Sequence, residues 1–233
     1  MNGMAGATTL GELASALAAR AEEASIIAEL KAGSEEAYTW LISQYHQPIY
    51  SLVYRIVNDP ADAADTTQEV FLKVFRGMNR FNGASSLKTW VYRIAVHEAS
   101  NQRRWWFRHK ARETSMERSA GPNNGEATPL ELKDTLVDEG ATPFDSMMKE
   151  ELRVRVEAEL RHVQEPYRTT VILRDLEDLS YEEIAEVMET SLGTVKSRLM
   201  RGRDALKKRL QPYLAGPDRR PSTAGGREVE VTS

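Results

Sequence analysis

The residues of this chain able to do chemistry are mostly cations, and they fall in two blocks. Within residues 93–112 stand Arg93, Arg103, Arg104, Arg108, Lys110 and Arg112, against Glu98 alone. Within residues 196–209 stand Lys196, Arg198, Arg201, Arg203, Lys207, Lys208 and Arg209, against Asp204 alone. The chemistry open to such blocks is neutralisation of phosphates along a nucleic acid. The formal net charge of the whole chain is nevertheless −4, because acidic residues crowd residues 113–151 and the stretch before the second block. That segregation leaves local phosphate-binding patches and limits unspecific attraction.

Catalysis has no comparable foothold. Cys is absent, which excludes disulfides, thiolate metal sites and thiol nucleophiles. The four His are scattered without zinc-like spacing. No nucleophile–base set or phosphate-cradling loop is present, so neither an enzyme nor a cofactor is expected. No apolar run approaches the roughly 20 residues that span a bilayer, and the Ala-rich start lacks the basic and apolar regions of a signal peptide. The expectation is a cytoplasmic protein with no membrane insertion.

The elements that must position the cations read as helix throughout, so the fold class is all-α: two small helical domains joined by a flexible linker. Ser34 precedes Glu35 and Glu36, a capping residue with first-turn carboxylates. Ala37, Leu41, Tyr45, Ile49, Leu52, Val53 and Ile56 follow at helical spacing. Asp59-Pro60 stops that helix and starts another, to about Met78. Residues 81–86 form a loop, with Ser85 or Ser86 capping a helix that carries Trp90, Val91, Ile94 and Ala95. Gly121, Pro122, Gly125 and Pro129 fall in a stretch without amphipathic period. Thr142-Pro143 restarts helix, Pro166 opens the next, and Ser180 with Glu183 fits a reciprocal capping box. The division is an N-terminal extension (1–23), a first domain (24–111), a linker (112–142), a second domain (143–214) and a disordered tail (215–233).

The sharpest local pattern lies at residues 180–209. A short helix carrying Ile184, Ala185 and Met188 is followed by the turn Glu189-Thr190-Ser191 and a longer helix from about Leu192. Val195, Leu199, Leu206 and Leu210 fall within roughly 60° of one another on that helix, a narrow inward seam. Lys196, Ser197, Met200 and Arg201 point away from it near the helix start. This is the layout of a helix-turn-helix, whose second helix reads base edges in the major groove. Arg198, Arg203, Lys207 and Lys208 sit better for phosphates, which position without specifying. Gly193 suits close packing in the turn. An amphipathic helix with a solvated basic face is the alternative.

A second pattern is acidic. On the helix after Pro60, Ala63, Val70, Phe71, Val74 and Met78 face one way, and Asp65, Gln68, Glu69, Leu72 and Arg76 lie nearly opposite. Carboxylates and an amide flanking an exposed Leu suit a protein interface with basic partner residues, or else a plain solvated face.

Taken together, these stretches resemble a known family. Asp65-Thr66-Thr67-Gln68-Glu69-Val70-Phe71-Leu72-Lys73-Val74-Phe75-Arg76 looks like region 2.2 of sigma-70-type factors. Ser86-Leu87-Lys88-Thr89-Trp90-Val91-Tyr92-Arg93-Ile94-Ala95 is similar to regions 2.3 and 2.4 of the extracytoplasmic-function branch. Residues 180–203, above all Gly193-Thr194-Val195-Lys196-Ser197-Arg198-Leu199, resemble its region 4.2.

The resemblance implies a transcription initiation factor whose partners are core RNA polymerase, at its clamp and flap, promoter DNA, and an anti-sigma factor. It assigns polymerase binding to Asp65, Gln68, Glu69 and Leu72. Minus-ten recognition and melting fall to Phe81, Asn82, Gly83, Ser85, Lys88, Trp90, Arg93, His97, Asn101 and Arg104. The minus-thirty-five contacts are Thr194, Lys196, Ser197, Arg198, Met200, Arg201 and Arg203. His97 departs from the Asn common at that family position. Trp90 is either core or a stacking platform, and Trp105-Trp106-Phe107 either faces DNA or packs on the linker or an inhibitor.

Overall fold

The computed structural model describes residues 10–116 and 143–214, and side-chain chemistry starts its helices where the sequence places them. Helix α1 (Leu10–Ala32) is Ala-rich and runs unbroken through the expected boundary between extension and first domain, as Ala's helix propensity favours. Gly33 leaves it at φ +80°, a conformation that glycine adopts without strain. Helix α2 (Glu35–Val57) opens on Ser34, whose Oγ accepts the Ala37 N–H at 3.2 Å. It closes on Asn58, left-handed at φ 65°.

Asp59 then caps α3 (Pro60–Gly77), its Oδ1 accepting the Asp62 N–H at 2.9 Å with Pro60 in the first turn. A short 3-10 turn, Met78–Arg80, feeds the loop before α4 (Leu87–Met116). Of the two expected caps, Ser86 is the one, its Oγ accepting the Thr89 N–H at 3.1 Å. Helix α4 continues to Met116, beyond residue 112 where the linker is expected.

Helices α2, α3 and α4 pack on one another around Leu41, Ile49, Leu52, Val70, Val74, Val91 and Ala95, all buried. Burying each large aliphatic side chain stabilises the bundle by ~1.5–3 kcal/mol. Helix α1 lies on the bundle through Leu30, which is buried, and Ile26 and Ile27, which are partly so.

The second unit comprises α5 (Pro143–Leu160), α6 (Tyr167–Val171) continuing as a π-helical turn Ile172–Leu176, α7 (Tyr181–Val187) and α8 (Leu192–Leu214). The capping box on α7 forms in both directions: Ser180 Oγ accepts the Glu183 N–H at 3.1 Å, and Glu183 accepts the Ser180 N–H at 2.8 Å. The expected role of Gly193 does not hold. A Cβ there meets only Ser191 Oγ, at 3.9 Å, because the turn leaves it facing open space. The close approach falls at Gly202, where a Cβ would stand 2.6 Å from Val171 Cγ2 and 2.9 Å from the Tyr167 carbonyl oxygen.

The expected cap Thr142, most of the linker and the tail after residue 214 lie outside the described residues. Among those described, no helix is long and apolar enough to cross a membrane.

Candidate nucleic-acid and polymerase interface

The period of α3 sorts its side chains as its sequence implies. Ala63, Val70, Val74 and Met78 are buried, whereas Asp65, Gln68, Glu69, Leu72 and Arg76 are exposed on the far side. The exposed stripe divides between two concavities. Gln68 and Leu72 line a largely apolar groove of about 650 Å³ between α2 and α3, completed by Tyr38, Ile42, Phe71 and Phe75. Asp65 and Glu69 instead border a cleft between α3 and α4 that reaches Asn101, Trp105 and Arg108. Phe75 packs its ring on Tyr38 at 4.9 Å and is still 59% exposed. Sequence reasoning assigned it no role, although it stands within the quoted motif, and its exposure beside Leu72 is the missing signal.

The loop at residues 82–86 is shaped by short polar contacts. Asn82 Oδ1 accepts the Ala84 N–H at 3.1 Å, and Gly83 between them has φ +71°, which glycine tolerates. Asn82 and Gly83 are exposed. Ser85 is half-buried and accepts a hydrogen bond from Arg93 at 3.5 Å. Phe81 is placed differently from the expectation of a DNA contact: it is 4% exposed and packs on Trp90 at 4.9 Å. Trp90 is half-buried, its ring edge 3.1 Å from where a Cβ on Gly77 would be. Both aromatics therefore brace the loop from beneath rather than offering open faces.

Along α4, His97, Asn101 and Arg104 share one face. The Asn101 amide nitrogen lies 3.1 Å from His97 Nδ1, and its oxygen accepts from Arg104 at 2.6 Å. Arg104 thus holds the Asn101 oxygen, and the amide presents both an acceptor and a donor suited to a base edge. Next to them burial raises the Glu98 carboxyl, but hydrogen bonds from Lys73 and His97 outweigh it and hold the group below its ordinary value. Trp105 is 48% exposed and stacks on His109 at 4.1 Å.

In the second unit Ser191 precedes α8, and its Oγ accepts the Thr194 N–H at 3.2 Å. Val195 and Leu199 are buried, and Lys196, Ser197, Met200 and Arg201 are exposed on the outer side as the seam requires. Thr194 and Arg198 are half-buried. Lys196 Nζ lies 6.0 Å from the Tyr181 ring, and Arg201 donates to the Tyr167 hydroxyl at 3.2 Å. Arg203 pairs with Asp175, which commits it to the helix framework more than to the outer face.

The two units touch directly. Helix α7 lies along α4, where Val187, Met188 and Glu189 line a cleft with Arg93, Ile94 and His97. A polar seam joins the units elsewhere. Glu177 accepts from the Tyr92 hydroxyl at 2.8 Å and from Arg55 at 3.4 Å, and its carbonyl accepts from Lys88 at 3.3 Å. Arg168, fully buried, donates to the Ile56 carbonyl at 2.8 Å. Burial pushes the Glu177 carboxyl up, against the opposing pull of Tyr92, Arg55 and Lys88. Lys88, expected at the DNA, is engaged in this seam.

Two family models match the chain, Sigma-70 region 2 over residues 41–109 and Sigma-70, region 4 over residues 153–206. The chain is 32% identical to the RNA polymerase sigma-H factor of Pseudomonas aeruginosa, over 83% of this chain and 96% of that protein. It is 34% identical to the ECF RNA polymerase sigma-E factor of Escherichia coli (strain K12), over 81% of this chain and 94% of that one. Among solved structures it resembles CnrH in complex with the cytosolic domain of CnrY (TM-score 0.57, 17% identity, 82% of this chain and 97% of that one). It also resembles the sigma factor RpoE in complex with the anti-sigma factor NepR from Bartonella quintana (TM-score 0.55, 20% identity, 75% and 96%). At those identities the structural likeness speaks to the fold alone.

Proposed function

Because the chain belongs to the extracytoplasmic-function sigma factors of the sigma-70 family, we propose that its promoter and polymerase contacts divide between the surfaces described above. As a sigma factor it acts by binding core RNA polymerase and directing it to promoters. Gln68 and Leu72, with the acidic pair Asp65 and Glu69 beside them, meet the polymerase clamp. Asn82, Gly83 and Ser85 on the loop, and Lys88, Arg93, His97, Asn101 and Arg104 along α4, handle the minus-ten element, with Phe81 and Trp90 bracing the loop beneath. The loop and α4 hold unpaired bases and the separated strand, a task suited to a small-residue backbone beside cations. Thr194, Lys196, Ser197, Arg198, Met200 and Arg201 enter the upstream major groove from α8, and Arg203 lies at its margin.

The observation that carries this reading is the exposed stripe of Asp65, Gln68, Glu69 and Leu72 on a helix whose other face is fully packed. A helix-turn-helix repressor leaves that stripe without work. An anti-sigma factor is a further partner under this reading, since RpoE of Bartonella quintana was solved with one.

Purified chain added to core polymerase is expected to yield promoter-specific transcripts from genomic templates. Charge reversal, Asp65→Lys with Glu69→Lys, is expected to weaken core binding by about 10- to 100-fold, as lost or reversed interfacial charges do. The same substitutions leave duplex binding by α8 unchanged. Transcripts that start at random, or full core affinity in the reversed variant, would defeat the assignment.

A further inference from the structure

We propose that Glu23, on the N-terminal helix α1, is a positioning residue for promoter melting, a role that rests on reading residues 81–88 as the melting segment. Leu87 is the first residue of α4, so its N–H has no partner within the helix. Ser86 covers the Thr89 N–H. The Leu87 N–H donates instead to Glu23 Oε1, at 2.7 Å, across 64 residues of sequence.

The contact is a charge-assisted hydrogen bond placed at the positive end of a long helix, the geometry in which a carboxylate holds best. It ties the junction between loop and α4 to a second element. Helix α1 is itself anchored on the bundle by Leu30 and Ile26. Glu23, Ile26, Trp40, Tyr45 and Leu87 line one cleft beside the junction.

Phe81 and Trp90 brace the loop from beneath, and its outer residues have few direct restraints. Its exposed residues Asn82, Gly83 and Ala84 are held by one Asx turn, and Ser85 by a long contact to Arg93. Glu23, together with the Ser86 cap, therefore fixes where α4 begins, and with it the direction in which the loop presents its backbone to a separating strand. The segment before the family-matched residues 41–109 thereby acquires a role in initiation.

The test uses complete holoenzyme on a linear duplex promoter. Core affinity and closed-complex affinity are measured separately from the rate of opening, followed by permanganate reactivity of unpaired thymines. Glu23→Ala is expected to slow opening by about tenfold, the equivalent of ~1.4 kcal/mol, with both affinities within about twofold of the parent. Glu23→Gln keeps an oxygen at the same reach and opens within about threefold of the parent, and Glu23→Asp, one methylene short, falls with the Ala variant.

A loss confined to opening, rescued by Gln and not by Asp, separates positioning from general destabilisation, which would lower core affinity as well. Opening at the parental rate in Glu23→Ala overturns the proposal, and so does a Gln variant as slow as the Ala variant. Asn82→Ala, exposed on the loop and clear of the seam between the units, is the control on the underlying reading. If it slows opening and Glu23→Ala does not, only the role of Glu23 fails. If neither does, the melting assignment of the loop fails with it.

Discussion

Phe75 and Leu72 are 59% and 44% exposed, one turn apart on a helix whose Val70 and Val74 are fully buried. Large apolar side chains left in water beside a groove mark a surface that a partner covers. Phe75→Asp places a charge in that groove without disturbing the core. It is expected to weaken core polymerase binding by about tenfold or more, ~1.4 kcal/mol. Because the site is exposed, the unfolding free energy of the free chain, measured in urea, should change by no more than ~0.5 kcal/mol. Titration of labelled core with the two proteins checks both halves, and unchanged affinity removes Phe75 from the interface. The charged members of the stripe were readable from helical phase alone. Phe75 was not, because an aromatic at helical spacing reads equally as core until the neighbouring helix is placed. The same limit applied to Trp90, and the packing of Phe81 on it from the loop is decided only by tertiary structure.

Helix boundaries followed local chemistry closely. Ser34, Asp59, Ser86 and Ser180 each cap the helix that the sequence places after them. Such caps depend on side chains within three residues, so one sequence suffices to find them. What escaped were features set by neighbours far along the chain: the π-helical turn Ile172–Leu176, and the choice of Gly202 over Gly193 as the point of close approach. At Gly202, α8 crosses α6 so tightly that a methyl group must displace Val171 or the Tyr167 backbone. Ala has the higher helix propensity by ~1 kcal/mol, yet overpacking of this kind opposes it with ~1–3 kcal/mol. Gly202→Ala should therefore destabilise the second unit and weaken minus-thirty-five DNA binding in parallel. Core binding, assigned above to α3, should stay intact. A variant with a raised melting temperature would show that the crossing has slack.

At the scale of the molecule, the two surfaces assigned above to DNA stand on units that pack against each other. Here α7 lies against α4, beside Arg93 and His97, and Glu177 fastens Arg55, Tyr92 and Lys88. On the proposed reading the units part on the promoter, and the Glu177 contacts are among those that must break, with the Arg168–Ile56 and Arg55–Glu157 bonds. Glu177→Ala removes the acceptor of the Tyr92 hydroxyl and of Arg55, which should shift the population towards the open form. The chain contains no Cys, so Arg80→Cys with Lys208→Cys can carry a donor and an acceptor dye on exposed sites of the two units. Energy transfer should fall in Glu177→Ala, and fall in the parent when core polymerase is added.

The pH dependence has a definite sign. Closing raises the Glu177 carboxyl above its ordinary value of 4.5, chiefly by burial and against Tyr92, Arg55 and Lys88, so closing takes up a proton. The closed form must gain as pH falls from that raised value towards 4.5, and the penalty is fully present above it. Transfer in the parent should accordingly increase on acidification, whereas Glu177→Ala should lack that component. Equal transfer in the two proteins at every pH would mean that Glu177 does not hold the units together.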